Sequence, residues 1–318
     1  MSMESINKVI VTGGSGFIGG HIVDRLVASG KEVLVIDDES AQCNESFYKN
    51  NDATYYKKDI SSYKEIESLF EGIDVVFHLA AESRIQPSLL NPIKATKTNV
   101  LGTCNVLQAS RDYDVDRVIY SSTSACYGLI NTPPLVENMP QDHLNPYSLT
   151  KCAGEDLCVM YTKLFKLKTI SLRYFNVYGA RAPTVGQYSP VVGLLLKQSK
   201  EGQPMTIVGD GLQERDFVHI SDVISANILA ATTSNEEAFG QVFNIGTGSS
   251  ISILSLANFI GTGHCFIDAR VGEARNTLAD STKAKTILGW VPTKNIFEYL
   301  SDEINKGQDT DVPGENND

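Results

Sequence analysis

The chain has 318 residues, 42% hydrophobic and 20% charged, a globular composition that argues against long disorder and leaves room for one large domain or two joined lobes. Its 27 basic and 38 acidic side chains leave a net charge of −11, which weighs against a free-standing nucleic-acid binder while leaving open a locally positive site for an anionic small molecule. No run approaches the ~18 apolar residues of a membrane span. The polar start MSMESINK lacks a signal-like apolar stretch, and the six cysteines are scattered with no CxxC pair. Reduced, mostly buried thiols in a cytoplasmic protein, without nucleic-acid or membrane partners, are the expectation.

In chain order, Lys8–Thr12 predicts a short β-branched strand, followed by a glycine-rich turn and a helix over residues 17–29 that Gly30 caps. Strands are expected at 32–36 and at Thr54–Lys57, a short helix at 63–70, a strand at 75–79 and a helix at 92–111. A strand at 117–121, a long helix at 147–165 and a strand at 169–173 follow. These strands are continuous apolar runs separated by helices, the pattern of a doubly wound parallel α/β sheet buried on both faces. Residues 1–175 are read as this first domain, with a segment near 215–245 returning to it. Residues 176–306 read mainly as a smaller lobe, with a helix at 191–201, a strand at Met205–Val208, a helix at 222–231 and a strand at 242–245. Residues 307–318 are polar and acidic, and a mobile tail is expected there.

Gly13, Gly16 and Gly19 stand between the first strand and the first helix. Such a turn lets the backbone approach a pyrophosphate, and the helix start turns free N–H groups and a positive dipole end towards it. A plain strand–helix turn is the alternative, but Asp37, 18 residues past Gly19 at the end of the second strand, weighs against it. Its carboxylate suits both ribose hydroxyls and repels a 2′-phosphate, which favours NAD over NADP. Asp59 and Ile60 then fall near the adenine, and Leu79, Ala80 and Ala81 supply small residues where backbone meets cofactor.

Tyr147 and Lys151, four apart at the start of a helix, share one face. A tyrosine is a poor base at its usual pKa of ~10, and a neighbouring ammonium and a cationic nicotinamide favour the phenolate. Alone, the pair would read as an ordinary exposed i,i+4 pair. Thr123 closes the fifth strand at the edge where open α/β sheets bind ligands, and its hydroxyl suits a substrate oxygen; a strand end making local backbone bonds is the alternative. Cys126 has no base beside it and reads as packing.

Together TGGSGFIG at 12–19, Asp37, DI at 59–60, HLAA at 78–81, Asn99, SSTSACYG at 121–128, YSLTK at 147–151 and LRYFNVYG at 172–179 resemble the extended short-chain dehydrogenase/reductases, in their nucleotide-sugar epimerase/dehydratase branch. GDGLQERDFVHISD at 209–222, NIGTG at 244–248 and RVGEARNTLADSTKAKTILGW at 270–290 continue the resemblance in order to about residue 300. It implies a Rossmann-type domain with tightly held NAD and a C-terminal nucleotide-sugar lobe. Thr123, Tyr147 and Lys151 become the catalytic triad, and Gly13, Gly16, Phe17, Ile18, Gly19, Asn99, Ser121 and Tyr174 join the cofactor residues. Asn176, Arg215 and Arg270 fall at the nucleotide diphosphate, Glu273 at the nucleoside ribose, and Thr277 in the sugar-pocket wall. No metal is implied. A homodimer is, formed by the helices at 92–111 and 147–165.

The resemblance also narrows the reaction. 4,6-Dehydratases of this branch carry Asp-Glu after the catalytic hydroxyl, where this chain has Ser124 and Ala125. Decarboxylases usually carry a Glu there, and the fucose synthase type a Cys where Ala125 stands. What remains is a nucleotide-sugar 4-epimerase, with UDP the expected nucleotide. A small wall residue such as Thr277 resembles the enzymes that turn over UDP-N-acetylglucosamine and UDP-N-acetylgalactosamine as well as UDP-glucose and UDP-galactose. Ser83 and Arg84 depart from the galactose epimerases, and an arginine facing the hexose would suit a uronate; a surface arginine is the competing reading. The remaining alternatives are a uronate epimerase or decarboxylase, a dehydratase, and a non-catalytic NAD-binding regulator, against which the complete Thr–Tyr–Lys set argues.

Overall fold

The computed structural model describes residues 2–41, 44, 46–185 and 189–308. Its elements run β1 (Lys8–Thr12), α1 (Phe17–Ala28), β2 (Glu32–Asp37), β3 (Thr54–Lys57), α2 (Tyr63–Ile66), β4 (Val75–His78), α3 (Ile85–Leu90), α4 (Pro92–Thr96), α5 (Thr103–Asp112), β5 (Arg117–Thr123), α6 (Pro146–Phe165) and β6 (Lys168–Tyr174). They continue as β7 (Asn176–Tyr178), α7 (Val191–Lys200), β8 (Met205–Val208), β9 (Glu214–His219), α8 (Ile220–Thr232), β10 (Gln241–Ile245), β11 (Ser250–Ser252), α9 (Ile253–Ile260), β12 (His264–Ile267) and α10 (Ile296–Gln308).

Seven strands form one sheet in the order β10-β6-β5-β4-β1-β2-β3, every pair parallel. The chain winds outward from β1 to β3, then restarts at β4 on the other side of β1. The crevice between β1 and β4 is therefore the switch point where doubly wound sheets bind ligands. One face is covered by α1 and α8, with Ile22, Leu26, Val223, Ala230 and Trp290 in its core. The other is covered by α5 and α6, with Val106, Leu107, Cys158 and Tyr161. A separate core joins α7, α9 and α10 around Leu195, Met205, Leu256 and Leu300, beside the small sheets β11-β9-β7 and β12-β8.

The expected strands fall within two residues of their anticipated bounds, because apolar runs between turn signals leave little choice, whereas β7, β9, β11 and β12 lie outside that expectation. The expected helix at 92–111 is interrupted: Lys97–Gly102 winds as a π segment between α4 and α5. There Gly102 lies against Ile60, whose Cδ1 would be 2.6 Å from an added Cβ. The expectation of six reduced cysteines also fails, since Cys126 and Cys152 are joined as a disulfide, with Cα atoms 6.2 Å apart. They meet because the turn after β5 packs on the start of α6, a convergence no sequence spacing reveals. α10 extends through Gln308, two residues into the expected tail, and the rest of that tail lies outside the described residues.

Candidate active site

A crevice of about 1060 Å³ opens at the C-terminal ends of the sheet strands and is closed on its far side by the small lobe. Its floor is the turn after β1. Gly13 has φ +73°, and an added Cβ would stand 2.7 Å from the Ala80 nitrogen; one on Gly19 would collide with the Gly13 carbonyl. Gly16 begins α1 without a side-chain cap, so the N–H groups of Phe17, Ile18 and Gly19 are left for a ligand in the crevice they line. The Ser15 hydroxyl is buried with no partner among the described residues. A bare, close-packed turn with an orphaned hydroxyl and a helix N-terminus fits a dinucleotide pyrophosphate.

Asp37 takes the Ser15 N–H on Oδ2 at 2.9 Å and the Glu39 N–H on Oδ1 at 2.8 Å. Burial pushes its pKa up, while these two donors hold it down. The carboxylate is thus fixed at the turn, with lone pairs left for ribose hydroxyls. Asp59, Ile60 and Leu79 to Ala81 line the same side. The Leu79 and Ala80 N–H groups both donate to Thr12 Oγ1, at 3.1 and 3.2 Å. That hydroxyl therefore gives its proton to His78 Nδ1 at 2.7 Å, which leaves Nε2–H to donate to Thr103 Oγ1 at 2.9 Å. Complete burial, then the Lys151 charge, draw the His78 pKa down to about 3, so this strut is neutral. Asn99 braces the next loop: Oδ1 accepts the Glu82 N–H at 2.8 Å, and Nδ2 donates to the Glu82 carbonyl and to Thr150.

α6 starts at Asn145, whose Oδ1 caps the Ser148 N–H at 2.8 Å, with Pro146 in the first turn. This start aims Tyr147 and Lys151 into the crevice, opposite Thr123 from the end of β5. Tyr147 is half-buried where it lines the crevice; desolvation raises its pKa, and a hydrogen bond with Thr123 opposes the rise. Lys151 is buried with its ammonium 4.3 Å from the Tyr120 ring centre. Desolvation lowers its pKa to about 7. The expected lowering of the tyrosine by the lysine is thus absent from the protein alone; burial prevails over it. Ser121 bonds Tyr174 Oη at 3.0 Å, and Asn227 holds that hydroxyl from α8.

From the lobe side, Arg215, Arg270 and Glu273 meet at one end of the crevice. Glu273 lies 3.8 Å from Arg215 and 4.0 Å from Arg270. Two guanidiniums share one carboxylate, leaving net positive charge where a diphosphate would bind. Thr277 is buried in the wall, with Asn176 Nδ2 3.4 Å from its hydroxyl. Ser83 and Arg84 line the crevice too, and burial lowers the Arg84 pKa.

Sequence reasoning missed Asp216, whose carboxylate accepts from Thr247 N and Oγ1, Gly248 N and Ala279 N. It joins three lobe segments beside Thr277. It also missed Glu155, which takes Arg173 on both oxygens at 2.8 and 2.7 Å and Ser122 at 2.5 Å beneath the catalytic face. Their partners lie 18 to 63 residues away, so no local signal marks either one.

A parallel sheet with a glycine turn at its switch point and an acid closing its second strand defines a Rossmann-type dinucleotide enzyme. The model of the NAD dependent epimerase/dehydratase family matches residues 9–246. The UDP-glucose 4-epimerase of Lactobacillus helveticus is 35% identical over 322 residues, covering 92% of this chain and 95% of that one. The crystal structure of Thermotoga maritima UDP-glucose 4-epimerase with UDP-glucose has a TM-score of 0.89 at 32% identity, covering 95% of this chain and 99% of that one. The UDP-N-acetylglucosamine 4-epimerase of Methanobrevibacter ruminantium M1, in complex with UDP-N-acetylmuramic acid, has a TM-score of 0.87 at 29% identity, covering 98% and 100%. The chain belongs to the NAD-dependent epimerase/dehydratase family, and it is an epimerase that uses NAD.

Proposed function

We propose that this enzyme inverts C4 of UDP-hexoses, interconverting UDP-glucose with UDP-galactose and UDP-N-acetylglucosamine with UDP-N-acetylgalactosamine, and that it works as a homodimer. The carrying observation is the juxtaposition of Thr123, Tyr147 and Lys151 in one crevice with the glycine turn. Ser124 and Ala125, next to Thr123, supply no acid, base or thiol for elimination or for chemistry at a second carbon.

The glycine turn and Asp37 would hold NAD, which when bound would supply the hydride acceptor and donor at C4 and a positive charge near the phenol. Tyr147 as phenolate takes the proton of the sugar 4-hydroxyl, and Thr123 orients that hydroxyl. Lys151, with its pKa drawn down to about 7, is readily charged once the phenol has lost its proton, since each charge offsets the other's desolvation. Arg215 and Arg270 keep the diphosphate fixed while the 4-keto sugar turns about its linkage. Tyr147 then returns the proton with the other face presented.

The test is incubation with UDP-hexoses, UDP-N-acetylhexosamines and UDP-uronates without added cofactor, read by NMR. Both C4 epimer pairs of the first two groups are expected; no 4-epimerisation in any group would refute the reading, and turnover of uronates alone would give Arg84 the selecting role. Thr277 is buried and lines the crevice. A tyrosine in its place should cut turnover of UDP-N-acetylglucosamine roughly ten- to a hundredfold by steric exclusion while sparing UDP-glucose.

A further inference from the structure

Away from the proton-transfer groups, three segments are tied together across the adenosine end of the crevice. The hub is Asp24 on the outer side of α1. Its Oδ1 accepts the Tyr48 hydroxyl at 2.9 Å and Asn50 Nδ2 at 2.8 Å, both from the loop between β2 and β3. Its Oδ2 takes Arg181 Nη2 at 2.6 Å, from the segment between β7 and α7. The Arg181 guanidinium lies 3.9 Å from the centre of the Tyr48 ring. A second tie runs alongside: Asn44 Nδ2 donates to the Ala182 carbonyl, and its Oδ1 accepts the Thr184 N–H at 2.6 Å. A third joins His21 of α1 to the Ala180 carbonyl at 2.8 Å.

None of these contacts serves the main core, and Asn44, Tyr48 and Arg181 line the crevice. They flank Asp37 and the glycine turn, the places for the ribose and the pyrophosphate. A dinucleotide seated there would have Tyr48, Asn50 and Arg181 joined beside it through Asp24. We propose that Asp24 and Arg181 form a clasp that retains the cofactor, and that opening of this clasp limits NAD release. They act through the loop they hold, as positioning residues. An enzyme that reduces and reoxidises one cofactor within each turnover gains from such retention, because loss midway would strand a keto sugar and a reduced dinucleotide.

The test measures NAD release from the purified holoenzyme, by dilution into a scavenging dehydrogenase, for Asp24→Asn, Arg181→Met and the pair together. Losing a charge-assisted bond should raise the release rate about tenfold in each single variant. The double variant should match the faster single one, because one clasp is broken either way. Activity of the variants should decay on dilution and return when NAD is added, a readout that a purely structural defect would not give. Tyr48→Phe keeps the stacked ring and removes one hydroxyl, so it should raise release by a smaller factor with the fold intact. Release rates within twofold of wild type in Arg181→Met and Tyr48→Phe would overturn the clasp. So would multiplying effects in the double variant, which would mean that Arg181 touches the cofactor independently of Asp24.

Discussion

Tyr147 borders the crevice and shares a hydrogen bond with Thr123. Tyr147→Phe should therefore keep fold and bound NAD while cutting kcat by a factor of about 10² to 10⁴, the usual worth of a positioned base; a kcat near wild type would remove Tyr147 from the mechanism. Lys151 leads to a second expectation. Its pKa is about 7 in the fold and ~10.4 in an unfolded chain. Between those values the unfolded chain carries a proton that the folded one lacks, so stability rises with pH across the window, and the burial penalty is complete below about 7. In NAD-stripped protein, the melting-temperature difference between wild type and Lys151→Met should move in favour of wild type from pH 7 to pH 10. A constant difference would mean that the lysine stays charged when buried. Tyr147, Lys151, Asp37 and the three turn glycines could be found by spacing because each acts within its own strand–helix unit. Asp216 and Asp24 could not, since each collects donors from segments far apart in the chain.

At the scale of elements, the π segment at Lys97–Gly102 shows where periodicity stops being informative. Apolar spacing marks the helix at 92–111 but is silent about one wider turn within it. That turn carries Asn99, whose amide brackets both backbone groups of Glu82, just past the crevice-lining Ala80 and Ala81, and also reaches Thr150 on α6. π segments are commonly found at functional sites. Asn99→Ala would take the partner from both backbone groups of Glu82, while Thr150 keeps its bond to the Tyr147 carbonyl, and it should cost about 1–3 kcal/mol of stability in denaturant titrations. It should also weaken NAD retention, because the loop after β4 lines the crevice. Unchanged stability would show that water replaces the amide without loss. The lobe elements β9, α9 and α10 escaped the sequence reading for a related reason. Their apolar residues pack on one another, as Leu256 and Leu300 do, and the short strands have no run long enough to stand out.

At the scale of the molecule, we propose a division of the chain into a sheet domain and a smaller lobe. β10 pairs with β6 and α8 packs on the sheet, whereas β9 pairs with β7 and β11, which favours a return to the sheet over 220–245 in that division. One surface of the sheet domain lacks a cover. The end of α3, α4, the π segment and α6 turn apolar side chains outward: Leu90 is 79% exposed and Ile93 81%, with Leu101 and Leu164 also exposed. Pro92, Ile93, Val100, Leu101, Cys104 and Leu157 frame an apolar groove between them. Patches of this kind on folded domains mark contact surfaces. Two such faces related by a twofold axis would bury their leucines as a four-helix layer, the self-complementary arrangement of most homodimers. α6 supplies both this face and the Tyr147–Lys151 pair, so the partner would support the helix that positions the catalytic groups. Light scattering at micromolar concentration should give twice the chain mass. Ile93→Glu with Leu101→Glu should give a monomer whose α6 is less stable, with a lower melting temperature. A wild-type monomer, or a charged variant that still dimerises, would rule this surface out.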